Sequence, residues 1–445
     1  MLGAGLASRT AAAALAPRAG HVTVLDRDAL SRVDEARKGV PQGKHIHLLV
    51  PAGRAALERL LPGVTDELAA AGAQILNRAG DFAIHIGGGR LNVQGLHPDF
   101  VLIGATRPLI EGVVRERVRA LTNVEILGGR EARGLIASGS NGAVTGVRVR
   151  PKGEAAAEET LPADLVVDAT GRGSRAPRWL EELGYEAPHE ESVRIDVRYA
   201  TRMFRRPPGR PDGVRNVLIG ALPGEGRGAV ALAVEGDRWI VTLSGMFGEQ
   251  PPTALSDFRA YARSLWCGDV HAIAAREEPL GEATTASFPA NVRRGYDRLR
   301  GHPPGFVVLG DAMCAFNPTY GQGMSVATLE AEALAGALER AGTARIGKTF
   351  YRAARPIADN AWAQAVDDDL QHPQAAGPRS LRWRLTSAYM ARLLPAAHRD
   401  PAVGQAFLNV MGMLAAPPSV LRPGVARRVL FGGRRPAKAY AAVGS

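Results

Sequence analysis

The sequence predicts an α/β fold with an antiparallel sheet set into it, and three observations carry the prediction. The chain opens with a Gly-rich loop, an Ala-rich helical stretch and a short apolar strand, Val22 to Leu25. Two later apolar strands, Leu165 to Ala169 and Phe306 to Leu309, run into Gly171 and Gly310. Between them, from Val193 to Met246, short runs alternate in period two, as in Val193-Arg194-Ile195-Asp196-Val197, with Pro/Gly turns separating them. Apolar strands ending on glycine suit a Rossmann-type parallel sheet, and period-two alternation suits an antiparallel one.

The elements follow in order. A loop with Gly, Pro and charges spans residues 27–43. A helix is predicted from Thr106 to Leu121, where Leu109, Ile110, Val113, Val114, Val118 and Leu121 recur at helical spacing with Arg and Glu opposite. Val124 to Leu127 and Ala143 to Val149 read as strands, and Thr253 to Trp266 as a helix. The helix after Gly310-Asp311 carries Val326, Leu329, Ala333, Leu334, Ala337 and Leu338 on one face, with Gly342 as its cap. From there to about residue 431 the chain reads as helical with Pro breaks, and the Gly/Arg/Ala-rich end is expected to fray. A chain of 445 residues is too long for one core. The expected units are 1–186 with 282–345 as one discontinuous domain, 187–281 as the inserted antiparallel sheet, and 346–445 as a helical C-terminal region.

Composition removes several function classes. Hydrophobic residues at 46% and charged residues at 22% describe a globular chain, and aromatics at 5% leave Val, Leu and Ala to build the core. The net charge is +11, but the Arg residues are scattered and no Lys/Arg run of five occurs, so nucleic-acid binding is not expected. An anionic cofactor and solubility are blander uses for the charge. Cys267 and Cys314 alone exclude a disulfide framework and a Cys-based zinc site. No apolar stretch reaches the roughly 18 residues of a membrane span, so no transmembrane segment is expected. The N-terminus enters a glycine motif at once, so no signal peptide is expected and a cytoplasmic location follows.

Chemistry is carried by three glycine motifs. In Gly3-Ala-Gly5-Leu-Ala-Ser8 the first glycine makes a tight turn, the second admits a pyrophosphate to the backbone, and the third position must be small for helix–strand packing. The helix N-terminus then offers amides and a positive dipole end. Asp26, with Arg27 beside it, lies 21 residues after Gly5, where a carboxylate can accept from a ribose. Only Met1 and Leu2 precede Gly3, whereas a parallel strand needs about five residues, so the first strand is expected to be cut short. In Asp168-Ala-Thr-Gly171, glycine is needed where the chain passes a dinucleotide. In Gly310-Asp311…Pro318…Gly321-Gln322-Gly323-Met324, a strand delivers a carboxylate suited to ribityl hydroxyls. The loop that follows opens a helix whose amides can stabilise negative charge on a reduced flavin.

In this order the motifs resemble those of the FAD-dependent monooxygenases of the para-hydroxybenzoate hydroxylase type, over nearly the whole chain. The resemblance implies a glutathione-reductase-like FAD-binding domain. Gly39-Val-Pro-Gln42-Gly-Lys-His45-Ile-His47, the Gly310–Met324 stretch and Trp362…Asp369…Pro373 are similar to the bacterial branch with the polyene epoxidases of polyether antibiotic pathways. By resemblance, Gly3, Gly5 and Ser8 hold the pyrophosphate and Asp26 the adenosine ribose. Arg107 lies along the FAD, Gly171 passes it, and Asp311 binds its hydroxyls. Pro318, Gly321, Gln322, Gly323 and Met324 border the isoalloxazine ring, and Gln42, His45 and His47 approach it from another side. Of these, Pro318, Gly321, Gln322 and Gly323 shape the reaction environment, and no acid/base residue is assigned. The implied cofactors are FAD and NAD(P)H as electron donor, used directly or through a partner flavin reductase. The implied substrates are O2 and an apolar small molecule lying between flavin and antiparallel sheet. One oxygen atom is inserted through a C4a-hydroperoxyflavin, by epoxidation first and aromatic hydroxylation second.

Other readings stay open. Geranylgeranyl reductases, which reduce isoprenoid double bonds, carry a Tyr-x-Trp-x-Phe-Pro element where this chain has Gly236 to Gly245 without it. Flavin halogenases carry a Trp-x-Trp-x-Ile-Pro signature that is not found here. A His pair at i, i+2 is also a common core or solvated pair. His45 and His47 show no third ligand, so no metal is expected. Asp367-Asp-Asp369 reads as a solvated turn.

Overall fold

The computed structural model describes residues 1–29, 41–140, 142–151, 157–207 and 213–432. Its framework is a parallel sheet built from two strand pairs. Val22–Leu25 runs parallel to Val124–Leu127, and Val166–Asp168 runs parallel to Phe306–Val308. Leu2 joins the pairs by bridging to both Leu25 and Asp168. Leu25 N–H donates to the Met1 carbonyl (2.9 Å), Leu2 N–H to the Val167 carbonyl (2.8 Å) and Ala169 N–H to the Leu2 carbonyl (3.0 Å). In place of a first strand there is a single bridging residue, Leu2, and the backbone of Met1 and Leu2 bonds to both strand pairs.

The helix Leu6–Leu15 packs against the long helix Gly323–Ala341. Ser8 to Leu15 are all buried, and the alanines Ala11 to Ala14 let the two helices lie close. Such all-round burial is what a core helix with small side chains requires. The helix expected from Thr106 is Arg107–Arg119, with the Thr106 hydroxyl accepting from Leu109 N–H at 3.4 Å as its N-cap.

The second sheet has eight strands. Their order is Cys314–Ala315, Pro279–Arg294, Glu190–Arg205, Arg238–Gly245, Arg227–Val234, Asn216–Ile219, Phe82–Ile86 and Gly89–Arg90. Neighbours are antiparallel except Asn216–Ile219 with Phe82–Ile86. The sheet therefore draws strands from outside 187–281. Glu190–Arg205 and Pro279–Arg294 are 16 residues each, long enough to run from the inserted sheet back to the parallel framework. One face is covered by the helices Leu255–Arg263 and Asp269–Arg276, where Phe258 and Val270 meet Ala200, Phe204 and Leu243. The other face is covered by Leu381–Arg399 and Pro401–Met411, where Leu393, Ala397 and Leu408 meet Leu232, Val234 and Ile240. Ile346–Asp369 and Pro423–Phe431 complete the helical C-terminal region. Among the described residues no helix is long and apolar enough to cross a membrane.

Candidate functional site

The three glycine motifs, far apart in sequence, meet in space. Gly3 has φ +87°, and a Cβ there would come within 2.8 Å of the Ala169 carbonyl oxygen, so the first turn lies on the second motif. Gly310 has φ +66°, and a Cβ there would meet the Ala7 Cβ at 3.2 Å, so the third motif lies on the first. Both positions call for glycine for conformational as well as steric reasons. Gly5 is the N-cap of Leu6–Leu15, without a side-chain cap, and a Cβ there would meet nothing within 4 Å. The space beside Gly5, at the start of that helix, is thus open, and no side chain caps the helix. Ser8 is fully buried and its hydroxyl has no hydrogen-bond partner among the described residues.

Around this junction each carboxylate has a distinct task. Asp26 is buried, with Oδ2 accepting from Ala4 N–H at 2.6 Å and Oδ1 from Asp28 N–H at 2.8 Å, so it ties the strand end to the glycine loop. Arg27 beside it is exposed. Asp168 closes the turn at Gly171 (φ +77°) by accepting from Thr170 N–H (2.8 Å), the Thr170 hydroxyl (2.6 Å) and the Ser174 hydroxyl (2.7 Å). Asp311 makes no hydrogen bond among the described residues. Burial raises its carboxyl above the usual range, and the Arg107 and Arg172 guanidiniums pull it back down.

Glu330, which the sequence reading missed, sits beneath Asp311. It is fully buried, and its Oε2 accepts from Gly310 N–H at 2.6 Å, pinning the turn. Burial, with Asp311 nearby, pushes its carboxyl up to about 8. Between about pH 4.5 and 8 the folded chain therefore keeps a proton that the unfolded chain has lost, so stability falls as pH rises through that window, by at most about 1.4 kcal/mol per pH unit. Glu330→Gln should flatten this part of the stability curve, read by thermal melting across the window. Parallel curves for variant and parent would refute the assignment.

The loop after Phe316 is held from several sides. Pro318–Tyr320 forms a turn, with Pro318 exposed. Gly321 has φ +66° and lies against Leu48, where a Cβ would come within 3.1 Å. Gln322 is buried, and its Nε2 donates to Gln364 Oε1 and to the Met411 carbonyl, both at 3.1 Å. It therefore fastens the loop to the C-terminal helices. Gly323 starts the 19-residue helix, close to the Asp311 carboxylate, and Met324 packs into the core. Asn317 anchors the loop's entry. Its side-chain amide donates to Asp369 Oδ1 (2.9 Å), as Asn291 donates to Asp369 Oδ2 (2.7 Å). The reading of Asp367–Asp369 as a solvated turn is corrected here. Asp369 is 1% exposed because it ends the helix Ile346–Asp369 beneath the loop, against two amide donors.

His45, His47 and Arg107 close the other side. The Arg107 guanidinium donates to His47 Nε2 at 3.1 Å, so His47 must carry its proton on Nδ1, which donates to the His45 carbonyl at 2.9 Å. Burial and the Arg107 charge push the His47 imidazolium down to about 3, so it is neutral at neutral pH. His45 Nδ1 bonds the Thr201 hydroxyl at 2.8 Å, and Thr201 bonds Thr242 at 2.7 Å, which leads from the histidines onto the antiparallel sheet. Gln42 falls in the turn Pro41–Lys44, and its side chain lies outside what is described. Arg107 Nε also donates to Glu111 Oε1 at 2.7 Å, and Glu111 faces the fully buried Arg9. Neither Arg9 nor Glu111 was marked by any motif. A cavity of about 470 Å³ opens beside this group, lined by Lys44, Thr106, Thr201, Met203 and Ile240 among others. At its edge Glu235 is satisfied by the Thr106 hydroxyl (2.6 Å) and Arg238 (3.0 Å).

No family model matches the sequence. Protein Rv3254 of Mycobacterium tuberculosis is 33% identical over 431 residues, covering 93% of this chain and 89% of that protein. Among solved structures, PqsL, a probable FAD-dependent monooxygenase from Pseudomonas aeruginosa, superposes with a TM-score of 0.61 at 18% identity, over 83% of this chain and 96% of PqsL. The p-nitrophenol 4-monooxygenase PnpA from Pseudomonas putida DLL-E4 superposes with a TM-score of 0.64 at 18% identity, over 94% of this chain and 97% of PnpA. At these identities the two structures share a fold with this chain.

Proposed function

Because the chain belongs to the same family as Protein Rv3254 and has the fold of FAD-dependent monooxygenases, we propose that it is an FAD-dependent monooxygenase. The observation that carries the reading is the meeting of the three glycine turns at one junction, with Gly5 open above a helix N-terminus. The residues present fit FAD. An uncapped helix start suits a pyrophosphate, and a half-buried carboxylate with no hydrogen bond among the described residues, Asp311, suits hydroxyl groups.

In this reading Gly3, Gly5 and Ser8 hold the pyrophosphate, Asp26 and Arg27 lie at the adenosine end, and Gly171 passes the dinucleotide closely. Asp311 binds ribityl hydroxyls and Arg107 lies along the cofactor. Pro318, Gly321, Gln322, Gly323 and Met324 border the ring, with Gln42, His45 and His47 on another side. When bound, FAD supplies the redox chemistry, taking electrons from NAD(P)H, directly or through a flavin reductase, and passing them to O2. The protein's share is positioning and electrostatics. The amides at the start of Gly323–Ala341 and the dipole of that helix hold negative charge at the ring edge. Neutral His47 takes no proton at neutral pH, so its part is to orient Arg107. The antiparallel sheet and its helical cover keep water from the reacting centre.

The substrate is placed in the cavity between Arg107 and the sheet. Its Glu235 and Arg238 are paired with each other, and Leu109, Met203 and Ile240 offer an apolar molecule its contacts. Epoxidation of polyketide alkenes is the first reading, resting on the Gly39–His47 and Gly310–Met324 stretches. Aromatic hydroxylation is the second, since PnpA has the same fold. Purified protein should show flavin absorbance in the visible and release FAD on denaturation. A colourless protein that takes up no added FAD would sink the reading. Product analysis on a polyene and on a phenol separates the two oxygenations.

A further inference from the structure

The charge of this chain is unevenly placed. Residues 370–445 hold ten Arg and one Lys against a single acid, Asp400, a balance of +10 within a whole-chain net charge of +11. The arginines are spread along the chain, but acids are missing from its C-terminal part. Asp400 is itself taken by Arg428 at 2.8 Å.

The same region exposes apolar side chains. Leu381, Leu385, Leu421, Leu430 and Phe431 are the exposed large hydrophobics among the described residues, with Leu381 at 73% and Phe431 at 79%. On the helix Leu381–Arg399, exposed Leu381, Leu385, Ala388 and Arg392 stand at i, i+4, i+7 and i+11, which makes one stripe. Exposed Arg382 and Arg384 flank that stripe, one on each side. Tyr389, one turn beyond Leu385, donates its hydroxyl to the Val420 carbonyl at 2.7 Å and so brings Leu421 alongside. The helix Pro423–Phe431 packs on Leu381–Arg399 and ends on Leu430 and Phe431, with exposed Arg427 one turn earlier. Both helices are fixed to the core by other residues, Leu393, Ala397 and Val429. The exposed side chains are therefore not needed to attach them.

We propose that this face docks peripherally on an anionic lipid surface. Leu and Phe side chains on a rigid support enter the headgroup–acyl boundary, while the bordering guanidiniums meet lipid phosphates. A nucleic acid would use the arginines but leave the leucine stripe in water. A second copy of the chain would set one strongly basic face against another. The inference stands on surface chemistry alone and does not depend on FAD.

The test is flotation of the full-length protein with vesicles of equal parts phosphatidylglycerol and phosphatidylcholine, and with phosphatidylcholine alone. The expected result is co-flotation with the anionic vesicles only, weakened by salt. Leu385→Ser with Phe431→Ser, and separately Arg382→Gln with Arg384→Gln, should each weaken it about tenfold with unchanged melting temperatures. Failure to float with anionic vesicles overturns the proposal, as does flotation that neither variant pair affects. Retention on an RNA homopolymer without flotation, or dimerisation lost in the Leu/Phe variant without flotation, assigns the face to another partner and overturns it too.

Discussion

Asp369→Ala should yield a chain about 3 kcal/mol less stable, holding FAD about tenfold more weakly. Asp369 joins three separate segments. It accepts from Asn291 on the strand Pro279–Arg294 (2.7 Å) and from Asn317 at the loop entry (2.9 Å), while itself ending the helix Ile346–Asp369. Asn317 is held further by its own N–H on Asn291 Oδ1 (2.6 Å), and its Oδ1 accepts from Thr319 N–H (3.1 Å) and the Tyr199 hydroxyl (3.3 Å). Alanine at 369 removes the acceptor from two buried amide groups, each worth about 1–3 kcal/mol when left unsatisfied. The freed Asn317 stands directly before Pro318–Gly323, so the loss of order passes into the loop proposed to border the ring. Thermal melting and an absorbance titration with FAD read the two effects. A variant that melts like the parent would show that this network does not hold the loop.

The contrast between the glycine turns and this network explains what the sequence makes legible. Gly3, Gly171, Gly310 and Gly321 all have φ near +65° to +90°. That is a local demand which only glycine meets easily, so it is visible in sequence without knowing any contact. The Asn291–Asp369 and Arg9–Glu111 pairs lie 78 and 102 residues apart, and no local rule couples them. Three consecutive aspartates look like solvated chain until the fold carries one of them under a loop. Likewise an arginine in an alanine-rich helix looks like its wet face, yet Arg9 is fully buried because a partner helix brings a carboxylate to it. The sheet was legible as antiparallel from its period, but not its full set of strands. Phe82–Ile86 joins it in parallel, and pairing across such a distance leaves no trace in either segment's own pattern.

Glu111→Ala should be the most damaging single change near the proposed site, costing about 3–5 kcal/mol. The Arg9 guanidinium is fully buried, with Nη1 at 3.0 Å from the Glu111 carbonyl and 3.4 Å from its carboxylate. Alanine keeps the carbonyl but removes a carboxylate that offsets the arginine, and losing one side of a buried ion pair costs more than the intact pair contributes. The same carboxylate holds Arg107 Nε at 2.7 Å, so the change also removes one of the two groups, with His47, that orient the side chain proposed to lie along FAD. The two consequences separate in a second variant. Arg9→Met combined with Glu111→Leu removes both buried charges and refills their volume, so stability should recover much of the loss. Arg107 would still lack its bond to Glu111, so FAD affinity should stay low. Urea unfolding and FAD titration of the single and double variants distinguish the roles. If the double variant recovers both stability and affinity, Glu111 serves only Arg9, and Arg107 needs no help from it to bind.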